Sequence, residues 1–378
     1  MRDADQGNVH FVHDWPAARV LFGHGILDRV ADEAGALGDR VMLIADPAPS
    51  VAPAVEEIRL SLRERLAARS DDVVMHVPSA AAEAATRTAD GAKADVIVCV
   101  GGGSSTGLAK GVAKLSGRPI LAVPSTYAGS EMTSIWGLTD GGRKVTGRLA
   151  AVRPKTVVYD VRLTCRLPVS LSITSGLNAI AHGAEGLYSP AASPLSVAAA
   201  REGIQSMTTA LSLIAEHRED DRARELALRG AWLSGWALEV SVMGIHHKMC
   251  HVLGGLLDLP HSPLHAAFLP FAIAYNAKAA PEAMASLVEA LGVSNPPDDA
   301  GGALWDLGRR LGAPASLASI GMAEGDIGPA VSAAVEEIRG GPFVNPRETD
   351  EASLARLVYD AWRGFRPGAD ESPNHRGR

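Results

Sequence analysis

Up to about residue 160, short apolar and β-branched runs alternate with Ala-rich stretches of helical length. This pattern predicts βαβ units around a parallel sheet. Val41-Met42-Leu43-Ile44-Ala45 closes on Asp46-Pro47, and Val96-Ile97-Val98-Cys99-Val100 closes on Gly101-Gly102-Gly103-Ser104-Ser105. Ile120-Leu121-Ala122-Val123-Pro124 leads into a loop rich in Ser, Thr and Gly, and Thr156-Val157-Val158-Tyr159-Asp160 is the last such run. Runs apolar at every position, without alternation, read as strands covered on both faces. From about Pro168 the spacing becomes helical, with Ala, Leu and Glu at three- and four-residue intervals and few β runs. The expectation is an α/β plus all-α chain: a Rossmann-like, doubly wound parallel-sheet domain over residues 1–163, then a helical-bundle domain over 164–378.

The chain has 378 residues, of which 47% are hydrophobic and 21% charged, the composition of a globular protein of about two domains. Its net charge of −7 offers no general attraction to a phosphate backbone, which argues against a nucleic-acid partner. Cys99, Cys165 and Cys250 lie far apart, with no C-x-x-C pair, so neither a disulfide framework nor a thiolate zinc site is expected. The polar N-terminus lacks a secretory pattern and no apolar run is long enough to span a bilayer, so a cytoplasmic protein with no membrane partner is expected.

Three features carry chemistry. Gly101, Gly102, Gly103, Ser104 and Ser105 join a strand to an Ala-rich helix, where glycines admit a pyrophosphate and free N–H groups at a helix start favour an anion. The run is neither G-x-G-x-x-G nor a Walker loop. Asp46, at the end of an earlier strand, can bond the ribose hydroxyls of an adenosine and repel a 2′-phosphate, pointing to NADH with NADPH possible. Taken alone, it is equally a turn aspartate before Pro47. Ser125, Thr126 and Ser130 add hydroxyls after the next strand.

The densest signal is Gly244-Ile245-His246-His247-Lys248-Met249-Cys250-His251, followed by Pro260-His261-Ser262-Pro263-Leu264-His265. These segments hold five of the twelve histidines. His247 and His251, and likewise Asn178 and His182, are spaced i, i+4 and share a helix face. Imidazoles so grouped can ligate a metal, move protons near neutral pH or pair with carboxylates.

Taken together, the 101–105 run, the loop Pro124-Ser125-Thr126-Tyr127-Ala128-Gly129-Ser130-Glu131, the 175–182 helix and the 246–255 block resemble the iron-containing (group III) alcohol dehydrogenase family. Tyr127, the run Ile135-Trp136-Gly137-Leu138-Thr139 with Arg143 and Lys144, and His246-His247-Lys248 are similar to a branch that reduces the conjugated double bond of maleylacetate, or a similar unsaturated oxo-dicarboxylate, to 3-oxoadipate in aromatic-compound degradation. The resemblance implies an NADH-dependent oxidoreductase, a homodimer, with its active site in the cleft between the two domains. It implies His182, His247, His251, His261, Lys248 and Asn178 as catalytic groups, Tyr127, Arg143 and His246 as substrate partners, and Lys144 at the nicotinamide side.

In metal-dependent members an Asp and three His hold iron or zinc. Asn178 stands at the Asp position here, with His182, His247 and His261 at the others, so one anionic ligand is missing and no catalytic metal is expected. The chain also departs from the branch at Pro263 and Phe271, positions beside the expected cleft where Glu and His are usual. Three other readings remain open from sequence: a metal-dependent dehydrogenase of a small alcohol or aldehyde, a cyclase or lyase related to dehydroquinate synthase, and a nucleotide-binding protein without turnover.

Overall fold

A computed structural model describes residues 18–140, 143–340 and 343–368; the side chains of Arg143 and Lys144 lie outside that description. The strands are β1 (Arg19–Gly23), β2 (Val41–Ala45), β3 (Leu66–Ser70), β4 (Val96–Gly101), β5 (Ile120–Pro124), β6 (Ile135–Asp140), β7 (Arg143–Arg148) and β8 (Thr156–Asp160). Between them lie helices α1 (Val30–Gly35), α2 (Ala52–Leu62), α3 (Ser79–Gly91) and α4 (Gly103–Ser116). All four apolar runs named from sequence are strands of one sheet.

That six-stranded sheet has the order β1-β8-β5-β4-β2-β3, with every neighbouring pair parallel. Because side chains alternate across a strand, Val41, Leu43, Val96, Val98 and Leu121 pack on the α1 and α2 side, while Met42, Ile44, Ile97, Cys99 and Ile120 pack against α3 and α4. Covering both faces explains runs that are apolar at every position. From β2 the chain steps one way to β3, then returns past β2 to β4 and continues to β5 and β8. The order therefore reverses between β2 and β4, and in open α/β sheets ligands bind at the carboxyl ends of the strands flanking such a reversal.

The helical half comprises α5 (Arg162–Cys165), α6 (Val169–Tyr188), α7 (Pro194–Glu216), α8 (Asp221–Glu239), α9 (Ile245–Leu257), α10 (His261–Asn276), α11 (Pro281–Leu291), α12 (Ala300–Leu311), α13 (Ile327–Gly340) and α14 (Glu351–Arg363). α6, α7 and α8 share one apolar core with α10, α11 and α12, and Tyr127, Val157 and Tyr159 of the sheet half are buried in it. A second core joins α9 and α10 to α13 and α14.

The antiparallel hairpin β6-β7 reaches across from the sheet half. Arg148 on β7 donates to Leu238 O, Glu239 O and Ser241 O at the end of α8. A cation there also suits the negative end of the helix dipole. Among the described residues, no helix is long and apolar enough to cross a membrane.

Candidate active site

A cavity of about 480 Å³ lies at the strand-order reversal, between the two halves. On its sheet side, Asp46 N donates to Val100 O at 2.9 Å, which places Asp46 beside the glycine bend. Gly101 has φ of +145°, and a Cβ there would stand 2.6 Å from Asp46 Cβ, so only glycine fits. Gly102 begins α4 with no side-chain cap, leaving the first-turn N–H groups as anion donors. Gly102, Gly103, Ser104 and Asp46 all line the cavity. Asp46 Oδ1 accepts from Ala48 N at 2.9 Å, a turn that holds the carboxylate at the wall.

The β5 loop completes this side. Ser125 is buried and its N–H bonds Gly101 O at 2.9 Å, tying the loop to the bend, while Thr126, Ala128 and Ser130 face the cavity. Gly129, with φ of +71°, is pressed between His182 and Gly235; a Cβ there would stand 3.0 Å from His182 Nδ1.

From the helical side, α6 presents one stripe. Leu171, Ser175, Asn178 and His182 follow at three- and four-residue steps and line the cavity, and Glu185 continues the stripe below it. α9 and α10 bring His247, His251, His261 and His265 to the same wall. His182 stacks on His247 with ring centroids 4.9 Å apart, His247 lies 5.2 Å from His265, and His265 lies 4.4 Å from His261. The imidazoles thus form one continuous cluster.

Glu185, fully buried, organises it. Its Oε2 bonds His247 Nδ1 at 2.6 Å and Gly244 N at 3.1 Å; its Oε1 accepts from His246 N at 2.9 Å and Tyr188 OH at 3.1 Å. An Nδ1–H held by a carboxylate leaves the lone pair on Nε2, and His247 Nε2 has no protein partner. Asn178 Oδ1, His182 Nδ1 and His265 Nε2 are likewise buried and unpartnered. Burial, then neighbouring imidazoles, holds His182, His246 and His265 well below the usual histidine range, so these rings are neutral.

Several sequence expectations need correction. Tyr127 does not reach the cavity: it is fully buried, its hydroxyl accepting from Arg224 at 3.2 Å and its N–H donating to Ser175 Oγ at 3.1 Å. His246 stands behind the wall, its Nε2 2.9 Å from His265 Nδ1. Lys248 points away and pairs with Glu337 at 3.0 Å. The side chains of Arg143 and Lys144 fall outside the described residues.

Of the two departures from the branch pattern, Pro263 lines the cavity as expected, and Phe271 does not. Pro263 is the third residue of α10, where a helix tolerates proline because that N–H has no intrahelical partner. Phe271 is buried in the second core, away from the cavity.

Two cavity-lining or supporting groups were missed, Lys110 and Glu185, and His265, counted in the histidine cluster, was given no role of its own. Glu185 could have been found from its i+3 spacing to His182 and i+7 spacing to Asn178. Lys110 could have been found as the lone charge in Leu108-Ala109-Lys110-Gly111.

Residues 17–161 match the family model described as iron-containing alcohol dehydrogenase, and residues 172–362 match the C-terminal model of the Fe-containing alcohol dehydrogenase family. The chain is 45% identical to a maleylacetate reductase of Pseudomonas knackmussii over 96% of this chain and all of that protein. It is 43% identical to the maleylacetate reductase of Sphingobium indicum, over 95% and 99%. Among solved structures, a putative alcohol dehydrogenase from Ralstonia eutropha superposes with a TM-score of 0.90 at 44% identity, covering 94% of this chain and 99% of that one. The maleylacetate reductase from Agrobacterium tumefaciens superposes at 0.86 with 39% identity and the same coverage.

The family models overturn the expectation that no metal is held, because the family they describe is iron-containing. The wall carries atoms able to ligate a cation. Asn178, His182, His247 and His265 offer unpartnered donor atoms, and behind them His246, Cys250 and His265 bring ligand atoms within 4.8 Å of one another. Counting charge over direct ligands alone made the site seem uncompensated. Glu185, one hydrogen bond behind His247, supplies the negative charge and fixes the tautomer that ligation requires.

Proposed function

This chain belongs to the iron-containing alcohol dehydrogenase family, and on that premise we propose that it reduces the conjugated C=C bond of maleylacetate to 3-oxoadipate with NADH, in the breakdown of aromatic compounds. The observation that carries the reading is one cavity with an anion-binding helix start and Asp46 on one wall and a cluster of imidazoles on the other. The relatives named maleylacetate reductase, matched along nearly their whole length, support the substrate.

Asp46 would bond the adenosine ribose and the Gly102–Ser104 turn the pyrophosphate, and the histidines line the same cavity. NADH, when bound, would supply a hydride to the carbon β to the ketone, with the electron pair of the C=C bond moving onto the ketone oxygen and a proton then completing the α carbon. The neutral, buried rings of His182 and His265 place N–H donors or lone pairs on the wall, where donors aimed at a developing enolate are most effective. His251 and His261, half-buried at the margin, pass the proton in from solvent.

The start of α10 has no side-chain cap and its His261 and Ser262 line the cavity, so its free N–H groups would hold one substrate carboxylate. A divalent cation, held by His182, His247 and His265 with Asn178, would polarise the ketone oxygen. The three cysteines are free, in keeping with a reducing cytoplasm, and we place the working form as a homodimer.

The test is a substrate panel followed by loss of the reduced-nicotinamide absorbance, with NADH and NADPH, before and after chelation and metal return. Turnover of maleylacetate with NADH is expected. Turnover of simple alcohols or aldehydes in its place would overturn the reading.

A further inference from the structure

Lys110 is a buried, cavity-lining cation that the mechanism above leaves unused. It lies on α4, two turns beyond the glycine bend, is 1% exposed, and lines the cavity. Its Nζ donates to Ser130 O at 2.6 Å, Ile135 O at 2.7 Å and Thr133 Oγ1 at 3.0 Å, with Ser130 Oγ at 3.2 Å. Ser134, between two of these residues, faces the opposite way. Its N–H and hydroxyl both donate to Glu239 Oε2 of α8, at 2.7 and 3.0 Å. Glu239 is itself held by Arg148 at 3.2 Å and Arg153 at 2.9 Å. The 130–135 segment is therefore gripped by a cation from the nucleotide-binding helix and an anion from the helical half, and Ser130, Thr133 and Ile135 form cavity wall.

We propose that Lys110 is a positioning residue: its ammonium fixes the 130–135 wall against which the reactive end of the dinucleotide lies, so that cofactor seated on α4 is brought into register with the imidazoles. This inference rests on the dinucleotide reading above. Four oxygens converge on Nζ, an arrangement that suits an ammonium and would leave a neutral amine with acceptors unserved. Burial pushes the Lys110 amine down to about 7.

The groups facing it are Glu239 of α8, Glu131 of the same segment, Cys99 of β4 and Arg148 of β7. Burial pushes the Cys99 thiol up to about 12, so it stays protonated near neutrality, and raises Glu131 above the usual carboxylate range, with Tyr159 OH donating to its Oε1 at 2.8 Å. The ammonium is present at lower pH and is lost as pH rises through about 7.

The experiment compares the native enzyme with Lys110→Met and Lys110→Arg, measuring NADH dissociation constants, kcat and KM, and the polarisation of bound-NADH emission. For Lys110→Met we expect kcat to fall at least about tenfold while NADH affinity stays within about threefold, because Asp46 and the glycine bend remain. In the native enzyme kcat falls as pH rises from about 6 to about 9 without a matching loss of NADH affinity; in Lys110→Arg that alkaline limb moves out of range.

A native profile flat across that range needs no variant and overturns the proposal. So does a Lys110→Met enzyme with unchanged kcat, or one losing affinity and kcat in parallel. If the native protein oxidises no NADH with maleylacetate, the functional reading fails. Lys110 is then judged by emission alone: bound NADH less polarised in Lys110→Met supports the wall, and equal polarisation overturns it.

Discussion

Replacing Glu185 with Gln tests the centre of the imidazole cluster. Gln keeps the shape but exchanges one acceptor oxygen for an NH2 group. If the NH2 takes the Oε1 place, it faces His246 N–H; if it takes the Oε2 place, it faces Gly244 N–H and His247 Nδ1. Either way one buried backbone N–H loses its acceptor and meets another donor, costing about 1–3 kcal/mol. Loss of the charge-assisted bond to His247 brings the total to about 2–4 kcal/mol. In the Oε2 arrangement His247 also turns to the tautomer with its proton on Nε2, removing the lone pair that faces the cavity. Disturbing such a supporting carboxylate typically costs about 10–100-fold in metal affinity or activity. Denaturant unfolding, imidazole nitrogen NMR and steady-state kinetics read the three effects separately, and NADH affinity should hardly move because Asp46 and the glycine bend are distant in the cavity. Native-like unfolding with an unchanged His247 tautomer would refute the reasoning.

Gly101→Ala forces a side chain into positive φ and against Asp46, so we expect a loss of about 1–3 kcal/mol and weaker NADH binding; an unchanged melting temperature would contradict this. Asp46→Asn keeps an acceptor for Ala48 N but removes the charge that repels a 2′-phosphate, so the NADPH-to-NADH ratio of kcat/KM should rise roughly tenfold, and an unchanged ratio would dismiss the role of Asp46. In chelated protein the folded state holds His182, His246 and His265 below their unfolded value of 6.5, so the unfolded chain binds protons first on acidification. Stability is full above about 6.5 and each ring then costs about 1.4 kcal/mol per pH unit below it; an unfolding midpoint flat from about pH 7 to 5 would count against neutral buried rings.

Local pattern was enough for much of this molecule. An apolar run of five residues can hide all its side chains only in a sheet covered on both faces, so β2, β4, β5 and β8 were legible. The glycine bend was legible because a phosphate cradle needs small residues at a helix start. Asn178 with His182, and His247 with His251, were legible because i, i+4 neighbours share a face whatever the helix packs against.

What tertiary structure alone decided was which of those faces meet. The strand order that sets Asp46 beside Gly101 is a property of non-local pairing, and no spacing along the chain encodes it. Tyr127 and Lys248 carry plausible site chemistry in sequence, yet packing turns one into the helical core beside Arg224 and the other out toward Glu337. Glu185 and Lys110 read as unremarkable charges on Ala-rich helices. Each matters because burial removes water and leaves specific partners: His247, the Tyr188 hydroxyl and two backbone N–H groups for one, three residues of the 130–135 wall for the other. A side chain's type and helical face follow from local sequence, but its partner and its charge state depend on what distant segments exclude solvent around it.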